Sequence, residues 1–248
     1  MLSIPGATIA QPNHLERTLE TFYTTTALCA IAAYIVGAMP FGFWISKLRG
    51  YDIRDHGSGN IGATNVFRIV GPSTGIAVFI LDVMKGFMPV YVGKKVIESR
   101  LPEGLGNADQ WVGGASVLLA LVAILGHNYT FFLGFKGGKG IATSAGVMLA
   151  FLPWVLAGSL AAWVLVFYFS GYVALASIAA ALAIPPMTVL IGLVDPPINV
   201  PVIFFGVFAS VMGIWRHRSN IKRLLAGEED RFDRKKKKVK MGRIHDGS

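Results

Sequence analysis

Residues 173–194 read VALASIAAALAIPPMTVLIGLV, and together with the stretch that precedes them from Ile141 they contain no charged side chain. A helix needs roughly 20 apolar residues to cross the hydrocarbon core of a bilayer, so this run is too long for one span. The steps Ala157-Gly158-Ser159 and Ser170-Gly171-Tyr172 predict turns that divide it. The run therefore predicts consecutive transmembrane helices and an all-α, polytopic integral membrane protein.

Apolar runs elsewhere in the chain are separated by clusters of Gly, Pro and charged residues. The predicted spans, about seven in number, are 24–48, 74–93, 110–126, 141–157, 159–170, 173–194 and 199–215. The composition fits, because 53% of the residues are apolar and 15% are charged, against about 25% charged in soluble domains. We expect one membrane domain at 24–229, after an extracytoplasmic segment at 1–23 and before a Lys-rich, disordered cytoplasmic tail at 230–248.

The net charge of +9 belongs mostly to the C-terminus. From Arg216 to Ser248 there are 12 basic and 5 acidic residues, or +7, which leaves 11 basic and 9 acidic residues, or +2, for the rest of the chain. Because cytoplasmic loops are enriched in basic residues, seven spans place the N-terminus outside and the loops 50–73, 126–140 and 170–172 inside with the tail. We expect a membrane protein whose cytoplasmic tail attracts anionic lipids, with no nucleic acid partner.

The single cysteine and the N-terminus argue against a secreted protein. Cys29 lies inside an apolar run and has no second cysteine to pair with, which excludes a disulfide scaffold. No basic region precedes the first apolar run, so we expect no cleavable signal peptide. The histidines have no metal-ligand spacing, and the H-x-x-x-x-D motif of soluble acyltransferases does not occur. We therefore predict neither a metal nor a cofactor, and no nucleophilic role for Cys29.

The loop after the first span reads HGSGNIGATNVFR over residues 56–68. Its G-x-G-x-x-G letters do not indicate a dinucleotide fold, because that motif has meaning only between a strand and a helix. Short polar side chains alternate with the glycines, and the loop ends in an arginine: Ser58, Asn60, Thr64, Asn65 and Arg68. Glycine lets backbone amides approach a ligand, so the loop predicts an oxyanion site, with a simple polar turn at the membrane surface as the alternative.

A second Gly-rich segment reads GHNYTFFLGFKGGKGIAT over residues 126–143. A Walker A loop would need glycine at position 133 and Ser or Thr at position 140, where this chain has Leu133 and Gly140. The K-G-G-K-G sequence directly before an apolar helix still suits a phosphate, since backbone amides, a helix N-terminus and two lysines converge. The alternative is that the lysines only set the membrane topology.

Further candidate structural or functional residues are charged and lie inside or next to the predicted spans. Asp82 and Lys85 are three residues apart on the second predicted span, and we interpret them as a structural ion pair rather than a proton path. The segment 216–229 predicts a short amphipathic helix at the membrane surface that ends at Gly227.

These motifs together resemble the bacterial acyl-phosphate:glycerol-3-phosphate acyltransferase family (PlsY). The resemblance covers about residues 30–229 and rests on S-G-N-x-G-A-T-N-x-x-R (58–68), L-D-x-x-K-G (81–86), G-H-N with F-K-G-G-K-G-x-A-T (126–143), G-Y-x-x-L-A-S-I (171–178) and R-H-R-x-N-I-x-R-L-x-x-G-x-E (216–229). It implies a seven-helix inner membrane enzyme with a cytoplasmic active site. The enzyme would transfer a fatty acyl group from acyl phosphate to the 1-hydroxyl of glycerol 3-phosphate, giving lysophosphatidate and phosphate for phospholipid biosynthesis.

The resemblance also implies roles for individual residues. The expected catalytic residues are Ser58, Arg68, Lys139, His217 and Asn220. The expected substrate-binding residues are Asn60, Thr64, Asn65, Lys136, Gly137, Gly138, Gly140, Thr143 and Ser177, and the expected structural residues are Asp82, Lys85 and Glu229. The K-G-G-K-G loop would hold glycerol 3-phosphate, and Ser58 with Arg68 would bind acyl phosphate. The general base stays open between His217 and the substrate's own phosphate.

Two further expectations concern partners and alternatives. We expect a monomer whose partners are its two substrates and membrane lipids, with the acyl chain entering a groove that opens sideways to the bilayer. A transporter or channel for an anionic metabolite is the alternative function. It is disfavoured because spans four to seven are almost without charge.

Overall fold

A computed structural model of the chain describes residues 14–101, 106–194 and 200–232. The α-helices in these ranges are α1 (His14–Ala38), α2 (Phe41–Leu48), α3 (Ala63–Ile69), α4 (Pro72–Glu98), α5 (Ala108–Asn128), α6 (Ile141–Phe151), α7 (Pro153–Ser170), α8 (Val173–Val194), α9 (Val200–Arg216) and α10 (Arg218–Leu225). Two short 3-10 turns, Ile53–Asp55 and Phe131–Leu133, lie in the loops. The all-α prediction is confirmed.

Most of the predicted spans are present as long apolar helices. Among the described residues, five segments are long and apolar enough to cross a membrane: Glu16–Leu48, Ala108–Leu133, α4, α7 and α8. Helices α9 and α10 together make a sixth candidate that is bent by 54° at its break. Helix α6 has 11 residues, which gives about 16 Å of length against a hydrocarbon core of about 30 Å. With α6 included, the prediction of about seven apolar helices holds.

The boundary between the fourth and fifth predicted spans is wrong. The turn expected at residues 157–159 does not form, because α7 continues through Gly158, where an added Cβ would overlap the Sδ atom of Met187. The chain breaks instead at Leu152, and Pro153 begins α7. Proline fits the first turn of a helix, where its missing N–H would have no partner.

Two predicted boundaries near the termini also differ from the structure. Helix α1 begins at His14, so part of the expected N-terminal segment at 1–23 belongs to the first helix. At the other end, residues 230–232 of the expected tail contact the body of the protein. The remainder of both segments, 1–13 and 233–248, lies outside the described residues, so the Lys-rich end stays a prediction.

Small residues let the helices that carry the loops pack backbone against backbone. A Cβ at Gly86 on α4 would overlap the Thr143 carbonyl oxygen on α6, and a Cβ at Gly146 on α6 would overlap the Val83 carbonyl oxygen on α4. The buried ion pair predicted from the sequence lies nearby: Lys85 Nζ is 2.9 Å from Asp82 Oδ1 and donates to the Met39 carbonyl oxygen at 2.7 Å. Helix α4 is thereby fixed against both α6 and the end of α1.

The polar loops meet at one end of the helices. Arg68 forms an ion pair with Asp230 at 2.9 Å, and the Phe232 amide donates to the Gly171 carbonyl oxygen at 2.9 Å. The Lys139 ammonium donates to Asn220 Oδ1. The loop after α2, the loop before α6, the α7–α8 turn and the chain after α9 therefore lie together, as an arrangement of seven spans requires.

Candidate active site

A cavity of about 470 Å³ lies where these loops meet. Its polar end is lined by Ser58, Asn60, Thr64, Asn65, Arg68, Asp82, His127, Asn128, Lys139, Ser177, His217, Asn220 and Glu229. Its other end is lined mostly by apolar side chains of the helices, among them Ile124, Met148, Leu156, Trp163, Ile184 and Met212. One space thus joins charged groups at the loops to an apolar interior.

Apolar side chains of α4 and α7 line the cavity and are also exposed. Ile76 and Phe79 on α4 and Leu160 on α7 all line it, yet they are 54%, 49% and 53% exposed. In a membrane protein such exposed apolar side chains face lipid hydrocarbon. This arrangement agrees with the predicted groove that opens sideways to the bilayer, and the gap between α4 and α7 is here called the side opening.

The first Gly-rich loop is held in shape by the buried amide of Asn65. Its Nδ2 donates to the carbonyl oxygens of His56 and Asn60, both at 3.0 Å, and its Oδ1 accepts from the Ser58 amide at 3.1 Å. The Asn60 side chain in turn accepts from the Gly62 amide at 2.8 Å. Asn65 therefore positions the loop, although the sequence predicted direct substrate binding for it.

Arg68 and Thr64 lie one turn apart on α3, so their side chains share a face that lines the cavity. Together with Ser58 they place a guanidinium group and two hydroxyl groups beside its polar end. These are the groups that the sequence predicts for an oxyanion.

The second Gly-rich loop differs from the predicted nest of free amides. The Gly137 and Gly138 amides donate to the carbonyl oxygens of Asn128 and His127, each at 3.1 Å. Arg216 donates to the carbonyl oxygens of the same two glycines, at 3.0 and 2.5 Å. Both glycines are needed for space, because a Cβ at either position would overlap His127. The loop therefore offers a ligand the side chain of Lys139 rather than the backbone of Gly137 and Gly138.

Lys139 is the cation of this loop that faces the cavity. Its ammonium group donates to Asn220 Oδ1, and Asn220 Nδ2 donates to Glu229 Oε1 at 2.8 Å. Glu229 also accepts from Arg223 Nε at 2.8 Å, which fixes the orientation of the Asn220 amide. Burial lowers the pKa of Lys139 to about 8; the positive charges of Arg223, Arg216 and Arg68 add to this, and Glu229 opposes it.

His217 lies at the bend between α9 and α10 and is buried. Its Nδ1 is 2.8 Å from the Gly213 carbonyl oxygen. Since a carbonyl oxygen only accepts, Nδ1 carries the proton in the neutral ring and Nε2 is the nitrogen that can accept one. His217 therefore presents an acceptor to a hydroxyl group in the cavity.

Ser177 lies on α8 where the polar end of the cavity gives way to the apolar interior. Its hydroxyl donates to the Val173 carbonyl oxygen at 2.8 Å and accepts from Trp163 Nε1 at 3.2 Å. Both bonds tie the cavity wall together, and the hydroxyl retains one acceptor position for a ligand.

Four predicted substrate-binding residues do not line the cavity: Gly137 and Gly138, described above, and Lys136 and Thr143. Lys136 is exposed at the surface of the loop. Thr143 is fully buried and lies where α6 packs against Gly86, so its hydroxyl does not reach the cavity. The K-G-G-K-G pattern did not distinguish a lysine that faces the solvent from one that faces the site.

Comparison with known proteins identifies the family. The family described as Glycerol-3-phosphate acyltransferase matches residues 27–227. A curated relative of that name from Fusobacterium nucleatum is 42% identical over 203 residues, which are 82% of this chain and 95% of the relative. Another from Aquifex aeolicus is 42% identical over 202 residues, 82% of this chain and 96% of the relative. The chain belongs to the glycerol-3-phosphate acyltransferase family.

Solved structures agree with this assignment. The crystal structure of PlsY (YgiH), an integral membrane glycerol 3-phosphate acyltransferase, in its glycerol 3-phosphate form has a TM-score of 0.72 and 38% identity. The match covers 84% of this chain and 96% of that one. The lysophosphatidic acid form of the same enzyme has a TM-score of 0.70. This member of the acyltransferase family is therefore an integral membrane enzyme, and the transporter alternative is excluded.

Three residues of this acyltransferase site were missed from the sequence. His127 and Asn128 are buried at the end of α5 and line the cavity, and no described residue is a hydrogen-bond partner of either amide atom of Asn128. Arg216 fixes the second Gly-rich loop. The G-H-N motif and the first residue of R-H-R were visible in the sequence, but His127 and Asn128 end an apolar run that gives no sign of which way they point.

Proposed function

We propose that the membrane domain at 24–229 transfers a fatty acyl group from acyl phosphate to the 1-hydroxyl of glycerol 3-phosphate, with lysophosphatidate and inorganic phosphate as products. The reaction takes place at the cytoplasmic face of a bacterial inner membrane and supplies phospholipid synthesis. Family membership and the two ligand-bound forms of the related enzyme support this proposal. The excess of basic residues on the loops and the C-terminal segment supports the cytoplasmic face.

The cavity itself carries the proposal. Its polar end contains Lys139 and Arg68, and its apolar end opens to the bilayer between α4 and α7. A site of this shape suits a water-soluble phosphate ester and an acyl chain at the same time. The chain can stay in the hydrocarbon while the reacting carbonyl reaches the loops.

The two substrates would divide the polar end between them. Lys139, Asn220 and Gly140 lie on the side of α6 and α10, where they suit the phosphate of glycerol 3-phosphate. Ser58 and Arg68 lie on the opposite loop and suit the phosphate of the donor. Asn128 ends α5, and its side chain lies next to Gly140. Its amide has four hydrogen-bonding positions and no described partner, so it suits the glycerol hydroxyls.

The chemistry needs position and charge rather than a covalent intermediate, because an acyl phosphate is already activated. The 1-hydroxyl oxygen attacks the acyl carbon, the negative charge moves to the carbonyl oxygen, and the bond from the acyl carbon to the phosphate oxygen breaks. The Ser58 hydroxyl and the Arg68 guanidinium can stabilise the developing charge. The hydroxyl proton passes to His217 Nε2 or to a phosphate oxygen of the substrates.

The test measures both products of one reaction, catalysed by the purified full chain in detergent. Palmitoyl phosphate and glycerol 3-phosphate are supplied together, and lysophosphatidate and inorganic phosphate are both quantified. We expect the two products in equal amounts, with phosphate release that depends on the acceptor. Phosphate release that continues at the same rate without glycerol 3-phosphate would overturn the proposal.

Two lysine variants report on the site in the same assay. Lys139→Ala removes the ammonium at the cavity and should reduce kcat/KM for glycerol 3-phosphate by more than about tenfold, the effect of losing one charge-assisted hydrogen bond. Lys222→Ala removes an exposed lysine of α10 and should leave it unchanged. Equal effects of both variants would contradict the assignment of Lys139.

A further inference from the structure

Residues 229–232, here called the strap, follow α10, and of these only Glu229 belongs to the motifs of the family resemblance. The strap is fastened at both ends. Glu229, whose side chain is 5% exposed, bonds to Asn220 and Arg223, and the Phe232 amide bonds to the Gly171 carbonyl oxygen in the α7–α8 turn. Both anchor residues line the cavity, and Asp230 and Arg231 lie between them in the chain.

Asp230 occupies both terminal nitrogens of the Arg68 guanidinium. Its Oδ2 accepts from Nη1 at 2.9 Å, and its backbone oxygen accepts from Nη2 at 3.0 Å. A phosphate binds an arginine through the same pair of donors. A phosphate that binds through both terminal nitrogens therefore competes with the closed strap for Arg68.

The aromatic ring of Phe232 closes the side opening at its loop end. It packs against Phe67 on α3 and Phe167 on α7, with ring centroids 5.6 and 5.9 Å apart, and all three rings line the cavity. Release of the strap would separate these contacts between α3 and α7. It would free Arg68 and widen the path from the bilayer in one movement.

We propose that Asp230 is an internal competitor for the donor phosphate at Arg68, so that the strap must open before acyl phosphate binds. The proposal rests on the proposed function, because it takes Arg68 as the donor's phosphate contact. The Asp230 side chain is 66% exposed, and exposed ion pairs are weak, so a substrate anion can displace it. Glu229 beside it is buried and stays in place.

The experiment compares the KM for palmitoyl phosphate in full-length variants. Asp230→Asn removes the competing charge and should lower this KM by about two- to five-fold, the range expected for an exposed ion pair. Asp230→Lys repels Arg68, and it should lower the KM further. The kcat and the KM for glycerol 3-phosphate should stay at the wild-type values. Inorganic phosphate should inhibit Asp230→Lys at lower concentration than wild type, by a similar factor.

Glu228→Lys is the matched control. Glu228 is exposed two residues away, and the change alters the net charge by the same amount as Asp230→Lys. Equal KM values for Asp230→Lys and Glu228→Lys, or a raised KM in either Asp230 variant, would overturn the competitor role. A wild-type enzyme without acceptor-dependent turnover would instead refute the proposed function, so the two failures are distinguishable.

Discussion

Lys139 lies at the polar end of the cavity, where burial lowers the pKa of its ammonium group to about 8. Below this pH the group is charged and attracts the phosphate of the acceptor, and above it the neutral amine does not. Because kcat/KM follows the ionisation of the free enzyme, its value for glycerol 3-phosphate should fall about tenfold per pH unit above about pH 8. A pH series of initial rates from 6.5 to 9.5 measures this fall.

Lys139→Arg provides the control for that pH series, since a guanidinium stays charged throughout the range. The fall above pH 8 should disappear in this variant, whatever its remaining rate. Lys222→Arg, a change on the exposed side of α10, should keep the wild-type profile. A fall of the same size in Lys139→Arg would show that another group titrates.

Asn128 combines full burial with an amide that has no described partner. Asn128→Leu, which keeps the branched shape and the number of side-chain heavy atoms, should reduce kcat/KM for glycerol 3-phosphate by more than about tenfold. The apparent unfolding temperature should not fall, because a buried polar group without a partner costs about 1–3 kcal/mol in the free enzyme. Kinetic assays and thermal unfolding in detergent separate the two effects.

Ser116→Ala is the matched control for Asn128. Ser116 is buried on the same helix, its hydroxyl has no partner among the described residues, and it does not line the cavity. Its replacement should leave kcat/KM unchanged. A lower unfolding temperature with normal activity in Asn128→Leu would mean that Asn128 only supports the fold.

At the residue scale, the sequence predicted which polar side chains belong to the site, but it did not predict which way each side chain points. Ser58, Arg68 and Lys139 were singled out from the Gly-rich motifs and His217 from the family resemblance, and all four line the cavity. Lys136 matched the same pattern as Lys139 but is exposed, because the loop turns between the two lysines in a way that depends on hydrogen bonds to α5 and α9. Those contacts are tertiary and leave no local signal.

At the scale of elements, the close packing of α4 against α6 sets the position of the second Gly-rich loop. Gly146→Ala places a Cβ against the Val83 carbonyl oxygen, a backbone atom that cannot move aside. The two helices must separate, so we expect a loss of about 1–3 kcal/mol of stability and a lower unfolding temperature. Activity should also fall, because α6 begins two residues after Lys139.

Gly114→Ala tests whether the effect comes from this contact rather than from glycine as such. An added Cβ at Gly114 on α5 would meet only the Pro201 ring, at 4.0 Å. Alanine favours a helix over glycine, so this variant should unfold at the same temperature or higher. A similar loss of stability in both variants would contradict the packing explanation.

The boundaries of the helices were harder to predict than the helices themselves. Hydropathy identifies residues 141–194 as membrane-embedded, but inside an apolar run only Gly and Pro mark the breaks. Gly158 was interpreted as a turn, whereas it lies inside α7 and makes room for Met187. Pro153 marks the real break. A glycine can allow either a turn in the backbone or the close approach of another residue. Which of the two applies depends on tertiary contacts that the local sequence does not show.

At the scale of the whole molecule, the opposite ends of α4 should face opposite sides of the membrane. Pro72 follows the first Gly-rich loop, and 27 residues later, about 40 Å away, the helix ends near Ser99. The basic residues gather at the loop end: Lys47, Arg49, Arg54, Arg68, Lys136 and Lys139, together with those after Arg216. From the positive-inside rule we expect this end to be cytoplasmic.

Single-cysteine variants measure this orientation, since Cys29 is the chain's one native cysteine. In a Cys29→Ser background, Ser219→Cys reports on the loop end and Ser99→Cys on the far end, and both positions are exposed. A membrane-impermeant maleimide added to intact bacterial spheroplasts should label Ser99→Cys at once and Ser219→Cys only after permeabilisation. The reverse pattern would place the active site outside. Labelling of both variants from the same side would contradict the arrangement of spans, because α4 must cross the bilayer for the cavity to lie between the loops and the lipid.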